Sequence, residues 1–223
     1  MLEDGCFDVR SLSAAPDGER VVLSAYLHNA GIAGGRSEKI VTTVHDGTTG
    51  EQVGPRRFGP AEVAVSDDLL VVSDRRGDMT IVDLATLQPV GRLAGRAMAR
   101  SLTFSVDGTL LLVASQDDTV SLYDVATRTR IGDPIPARSP NPDLIPGFLR
   151  PDGGAIAVTD RNGVAVWDIA PDHLAEAACR LAGRNLTTAE WHSYLGDHWQ
   201  YRATCPEFPQ LLDDQEAMAG AAP

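Results

Sequence analysis

Few residues in this chain have both the type and the spacing to do chemistry. The segment Ala30-Gly31-Ile32-Ala33-Gly34-Gly35-Arg36-Ser37 is the nearest approach to a phosphate-cradling loop. Such a loop needs Gly at its first position for backbone freedom and Lys before the Ser to reach the phosphates. Ala30 and Arg36 stand there instead, between strand-like runs rather than at the start of a helix. The segment reads as a Gly-rich hairpin insertion. His192, Asp197, His198 and Cys205 carry metal-ligating atoms, but they contain no Cys-x-x-Cys and no His pair one helical turn apart, and Gly196 interrupts any helix that would align them. There is no Gly-x-Ser-x-Gly elbow for a nucleophile. The carboxylate pairs Asp67-Asp68 and Asp117-Asp118 lie in turn sequences, where Asp is favoured because its side chain bonds nearby backbone N–H groups. Trp191, Tyr194 and Trp199 are read as a packing cluster flanked by Cys179 and Cys205. Those two thiols are expected to be buried and unbridged, as in a reducing cytosol. No catalytic residue, cofactor or metal is expected.

The composition fits that reading. The 223 residues are 43% hydrophobic and 22% charged, enough to bury a core and too apolar for a disordered chain. Acidic residues outnumber basic ones 31 to 19, a net charge of -12, which argues against nucleic acid and anionic membrane as partners. Glu207, Asp213, Asp214 and Glu216 concentrate acid in residues 205–223, read as a flexible acidic tail. No apolar run approaches a membrane span and the first residues are acidic, so the expected location is cytoplasmic.

Stepping outward from single residues, a repeat organises the chain. Asp46, Asp83 and Asp124 each end an apolar run. Three residues later stand Thr49, Thr86 and Thr127; then Val53, Val90 and Ile131; then Gly54, Gly91 and Gly132. Upstream of each of these runs, and of a fourth run ending at Asp168, lies a turn: Pro16-Asp17-Gly18, Ser66-Asp67-Asp68, Asp107-Gly108 and Pro151-Asp152-Gly153. The first copy carries an insertion around Asn29 to Lys39. Short apolar runs between Asp-Gly turns, alternating where one face is exposed, predict antiparallel strands. In the third copy these are Leu102 to Val106, Leu110 to Ala114, Val120 to Val125, and a fourth through Ile131. Four short strands about every 40 residues predict propeller blades, here about 7–56, 57–95, 96–136 and 137–170.

These units resemble WD repeats: Trp167-Asp168 is the dipeptide itself, with Tyr123-Asp124, Val82-Asp83 and His45-Asp46 as degraded versions. The resemblance covers about residues 7–170 and lacks the family's Gly-His. It implies an all-β, WD-repeat-like β-propeller and places Asp74, Asp118 and Asp160 where the family's turn Asp sits. Arg75, Arg76 and Arg161, in those same turns, are candidates for a partner-binding rim.

After Asp168 the fourth-strand residues do not recur. Pro171 opens a helical pattern with Leu174, Ala177, Ala178 and Leu181 on one face and Gly183 as its stop. Thr187 and Glu190 stand at capping-box spacing before a second helix ended by Gly196. In and just beyond this helical C-terminal extension, 171–204, the run Ala178-Cys179-Arg180-Leu181-Ala182-Gly183-Arg184-Asn185-Leu186-Thr187, then Glu190-Trp191 and Tyr201-Arg202-Ala203-Thr204-Cys205-Pro206, looks like the C-terminal tail of actinobacterial WD-repeat proteins, many of which join the propeller to a STAND-type nucleotide-binding signalling module. The resemblance implies a non-catalytic interaction or sensor module with a protein partner. An enzyme or ligand site in the central channel is the alternative.

Four blades are too few for the usual ring, and Met1 to Cys6 is too short and polar to supply the missing outer strand. Three arrangements remain open: a C-terminal fragment of a longer protein, which is favoured; a half-ring closed as a homodimer; or a small ring. That the chain is a truncated remnant of a longer WD-repeat protein is a further alternative.

Overall fold

A computed structural model describes residues 6–28, 39–58, 60–96, 98–137, 147–160 and 163–211. The chain divides into two units at Trp167/Asp168.

The first unit is all β. Strands β1 (Cys6–Ala14), β2 (Arg20–His28), β3 (Lys39–Asp46) and β4 (Gln52–Phe58) form one sheet in that order. β5 (Pro60–Val65), β6 (Leu69–Asp74), β7 (Met79–Asp83) and β8 (Pro89–Arg92) form the second. The third comprises β9 (Ala99–Phe104), β10 (Leu110–Ser115), β11 (Thr119–Asp124) and β12 (Thr129–Pro136). The fourth contains, among the described residues, only β13 (Gly147–Leu149), β14 (Ala155–Asp160) and β15 (Gly163–Asp168). Each sheet is an antiparallel meander, as the Asp-Gly turns dictate, and together the four are arranged like propeller blades. The candidate insertion coincides with the β2–β3 hairpin, whose ladder runs from Arg20↔Asp46 to Leu27↔Lys39; Ala30 to Ser37 lie outside the described residues.

The core sits between blades, because alternate residues of a strand face opposite sides. In β5, Val63 and Val65 join Val22 and Val44 of the first blade and Leu70 and Val82 of their own. The intervening Ala64 faces the other way, into a cluster with Val71, Ile81, Leu102, Leu111 and Val113. Blades therefore pack in chain order, with β5 against β1 and β2, β9 against β5, and β13 against β9 and β10.

The second unit begins with α1 (Pro171–Ala182) and α2 (Thr188–Leu195). Pro171 suits the first turn, where no N–H is needed, and Gly183 in the left-handed conformation ends α1 with its N–H on the Cys179 carbonyl. Thr187 and Glu190 form the reciprocal capping box expected of them. The expected apolar face of α1 is not what anchors it. Leu181 is 90% exposed, Leu174 and Ala178 are exposed, and Cys179 is the residue that is buried.

Candidate functional site

The repeat's Asp and Thr build a turn. The Asp124 Oδ1 accepts from the Thr127 N–H at 2.7 Å and from its hydroxyl at 2.9 Å. Asp83 does the same with Thr86, both at 2.7 Å, and Asp46 with Thr49 at 2.8 and 3.1 Å. These bonds favour the ionised form and hold all three carboxyls below the ordinary Asp range, Thr49, Thr86 and Thr127 being the leading cause in each case. The upstream turns use the same device. Asp107 binds the Ser105 hydroxyl at 2.6 Å and the Thr109 N–H at 3.1 Å, and Asp152 binds the Gly154 N–H at 2.9 Å. Asp67 reaches across to the first blade, accepting from the Asp17 N–H at 2.9 Å.

The fourth copy departs from this scheme. Pro171 stands where the Thr would be. Asp168 therefore caps the chain's turn into α1, with the Ala170 N–H on its Oδ1 at 3.1 Å and the His173 Nδ1 at 2.6 Å from its Oδ2. That contact raises the His173 pKa above its ordinary value, through the hydrogen bond first and the carboxylate charge second. The Trp167 side chain is exposed.

The repeat's Gly serves contact between blades. A Cβ on Gly54 would collide with Leu87, and one on Gly91 would stand 2.6 Å from the Arg128 guanidinium. Leu87 and Arg128 are the fourth residues after Asp83 and Asp124, and both have positive φ, 56° and 62°. The third-to-fourth strand turns of the second and third blades thus each seat one residue on the glycine of the blade before. The seat was legible as a recurring Gly. The residue that fills it was not, because Gly50, Leu87 and Arg128 share a conformation rather than a side chain.

The opposite turns gather a different surface. Tyr26 and Ile40 of the first blade, Asp74 and Arg75 of the second, and Met98, Ala99 and Gln116 of the third line a depression of about 380 Å³. Asp74 ends β6 and is committed to its own turn, accepting from the Arg76 N–H at 2.8 Å and the Asp78 N–H at 2.9 Å. Asp118 lies inside the β10–β11 turn with φ 61°, 3.6 Å from Arg100, while Asp117 is the residue that binds the Thr119 hydroxyl, at 2.7 Å. Arg96 is paired with Asp78 at 3.2 Å. Arg75 and Arg76 are exposed, and among the described residues neither guanidinium has a carboxylate partner. The Asp160 side chain and the whole of Arg161 lie outside the described residues. Tyr26, Met98 and Gln116 escaped sequence reasoning because a depression built from three blades leaves no local pattern.

In the second unit, the expectation of unbridged thiols is overturned. Cys179 and Cys205 form a disulfide, their Cα atoms 5.5 Å apart. The Cys205 side of the bridge is held by the buried Asn185, which accepts from the Cys205 N–H at 2.7 Å and donates to the carbonyls of Cys205, Phe208 and Pro209 at 3.0, 2.7 and 3.0 Å. Residues 205–211, assigned above to the tail, are pinned by these bonds and by Tyr201, whose hydroxyl accepts from the Leu211 N–H at 3.2 Å and donates to the Leu186 carbonyl at 2.8 Å. The aromatic cluster is also rearranged. Trp191 is buried edge-on against Tyr201, 5.7 Å between centroids, whereas Tyr194 is 74% exposed and Trp199 contributes its carbonyl to the Trp191 indole N–H. Of the imagined metal ligands, His192 lies 2.9 Å from Asp197 and Cys205 is spent in the disulfide. Among the described residues no group of three His, Cys, Asp or Glu is placed to hold an ion.

The geometry defines a class: a β-blade repeat with a helical, disulfide-bonded unit following it. No family model matches the chain, and no curated protein matches it. Among solved structures it is similar to hydrazine synthase of Kuenenia stuttgartiensis, with 18% identity and a TM-score of 0.48 over 71% of this chain and 45% of that one. The chain therefore corresponds to less than half the length of that protein.

Proposed function

We propose that the chain is a non-catalytic interaction module of a signalling protein, built on WD-like blades and binding a protein partner. The observation that carries this reading is the surface where three consecutive blades converge on one depression lined in part by exposed Arg75, with exposed Arg76 next to it in the chain. Rigid strands presenting variable turns suit recognition. The turn carboxylates support it from the other side, since Asp46, Asp83, Asp107 and Asp124 each commit Oδ1 to backbone and hydroxyl donors of their own turns. Capture on the immobilised chain tests the reading. A partner retained by the native protein is released by the Arg75→Glu/Arg76→Glu double variant, and equal retention by both argues against it.

The second reading, a small-ligand or enzymatic site, rests on the volume of that same depression, about 380 Å³, which lies in the range of small-molecule pockets. It expects saturable binding of a small molecule that displaces the protein partner. As to location, no helix among the described residues is long and apolar enough to cross a membrane. The Cys179–Cys205 bridge favours an oxidising setting over the cytoplasm.

A further inference from the structure

The fourth sheet and the third blade's glycine share one unmet requirement. In the first three blades the third strand, β3, β7 or β11, is flanked by a fourth, and in β11 Val120, Ser121, Leu122 and Tyr123 are all buried. Aligning Asp168 with Asp124 puts Val164, Ala165, Val166 and Trp167 at those positions. All of β15 is exposed, with Val164 at 66% and Val166 at 70%. An apolar strand with an open edge is a template for another strand. The second observation is independent. Gly54 and Gly91 are each covered by the turn residue that introduces the next blade's fourth strand, Leu87 or Arg128, whereas among the described residues Gly132 has no atom within 4 Å of where its Cβ would stand. The element that would pair with β15 and the element that would cover Gly132 are the same: a fourth strand with its preceding turn.

The internal copies specify what fits. Thr49 to Gly54, Thr86 to Gly91 and Thr127 to Gly132 read Thr, a residue of positive φ, two variable residues, Val or Ile, then Gly. In the third blade Ile131 pairs with Leu122 and Arg130 with Tyr123, so the corresponding donor residues would face Val166 and Trp167. We infer that β15 is a strand-addition site: it takes an extended segment of a partner protein carrying this Thr-x-x-x-Val/Ile-Gly pattern as an antiparallel fourth strand, its turn residue resting on Gly132. Backbone hydrogen bonds supply the affinity of such an addition and the alternate side chains its specificity. The inference rests on the reading of the chain as an interaction module and names the partner's chemistry at a second surface.

The test uses the full chain and a capped synthetic peptide with the sequence of residues 124–136, the chain's own third-blade donor. Amide hydrogen exchange is followed across 163–168. The expected result is saturable binding that slows exchange of these amides at least tenfold. Changing Ile131→Asp in the peptide, which leaves the chain untouched, abolishes the protection. Val166→Lys in the chain, at an exposed position whose fold is checked by circular dichroism, weakens binding at least tenfold, and Gly132→Val weakens it severalfold. Absence of protection at millimolar peptide overturns the inference, as does protection indifferent to Val166→Lys. A native chain that is already dimeric with β15 amides protected also overturns it, in favour of a second copy at this edge. Arg75→Glu/Arg76→Glu leaves peptide binding unchanged, so failure at the depression and failure at β15 are distinguishable.

Discussion

The Arg128 guanidinium of the third blade lies over Gly91 of the second, as Leu87 lies over Gly54 of the first. A repeated glycine here is a contact surface between blades, and its neighbour in each case is a turn residue with positive φ.

Substitution of these glycines should therefore give graded losses. Gly54→Ala faces both a left-handed backbone, φ 72°, and the buried Leu87, and should cost about 2–4 kcal/mol. Gly132→Ala, with φ 65° and, among the described residues, open space around it, should cost about 1–2 kcal/mol from the backbone alone. Urea denaturation of the two variants compares them directly, and equal losses would show that Leu87 does not rest on Gly54.

Acid should loosen the blades in a defined window. Asp46, Asp83 and Asp124 are held below their ordinary values in the fold, so their stabilisation is present above the unfolded value of about 4 and is lost as pH falls through the lower folded ones. The thermal midpoint of the blade unit should be flat near neutrality and fall below about pH 4, with a shallower fall in Asp83→Asn.

Reduction should act on one unit only. The Cys179–Cys205 bridge spans a sequence separation of 26 and belongs to a unit with few buried side chains, so its loss should cost that unit about 3 kcal/mol. Limited proteolysis in reducing buffer should cut within 183–211 and spare β5 to β12. Cleavage of both units at equal rates would contradict this.

Helix α2 should keep its cap well into the acid range. The Arg184 guanidinium meets both Glu190 oxygens, at 2.6 and 2.7 Å, and with the Thr187 N–H lowers the Glu190 pKa to about 2. A carbon-detected titration should place its midpoint there, and Arg184→Ala should return it towards the ordinary value of about 4.3.

What the sequence disclosed follows from where the information is local. The blade strands, the Asp-x-x-Thr turns, the Gly183 stop and the Thr187–Glu190 cap each depend on residues within a few positions of one another, and a period of 2 or a fixed offset reveals them. That the Thr, Val and Gly of a fourth strand do not recur after Asp168 was legible for the same reason, and among the described residues the fourth sheet has three strands. The Cys179–Cys205 bridge was not legible, because its Cys205 side is held by Asn185 reaching 20 residues along the chain. The apolar pattern of α1 located the helix but not its packing, since the periodicity of Leu174 and Leu181 names a face without naming what covers it. The Arg75 depression required three blades to be in place before it existed.

The most direct test of the account places a photo-crosslinking residue at Met98, on the wall of that depression, in the full-length chain within its host. The account predicts a reproducible crosslinked protein partner whose yield falls at least tenfold in the Arg75→Glu/Arg76→Glu background, with circular dichroism unchanged. An identical crosslink pattern in both backgrounds, or no protein crosslink together with substrate turnover by the purified chain, would contradict it.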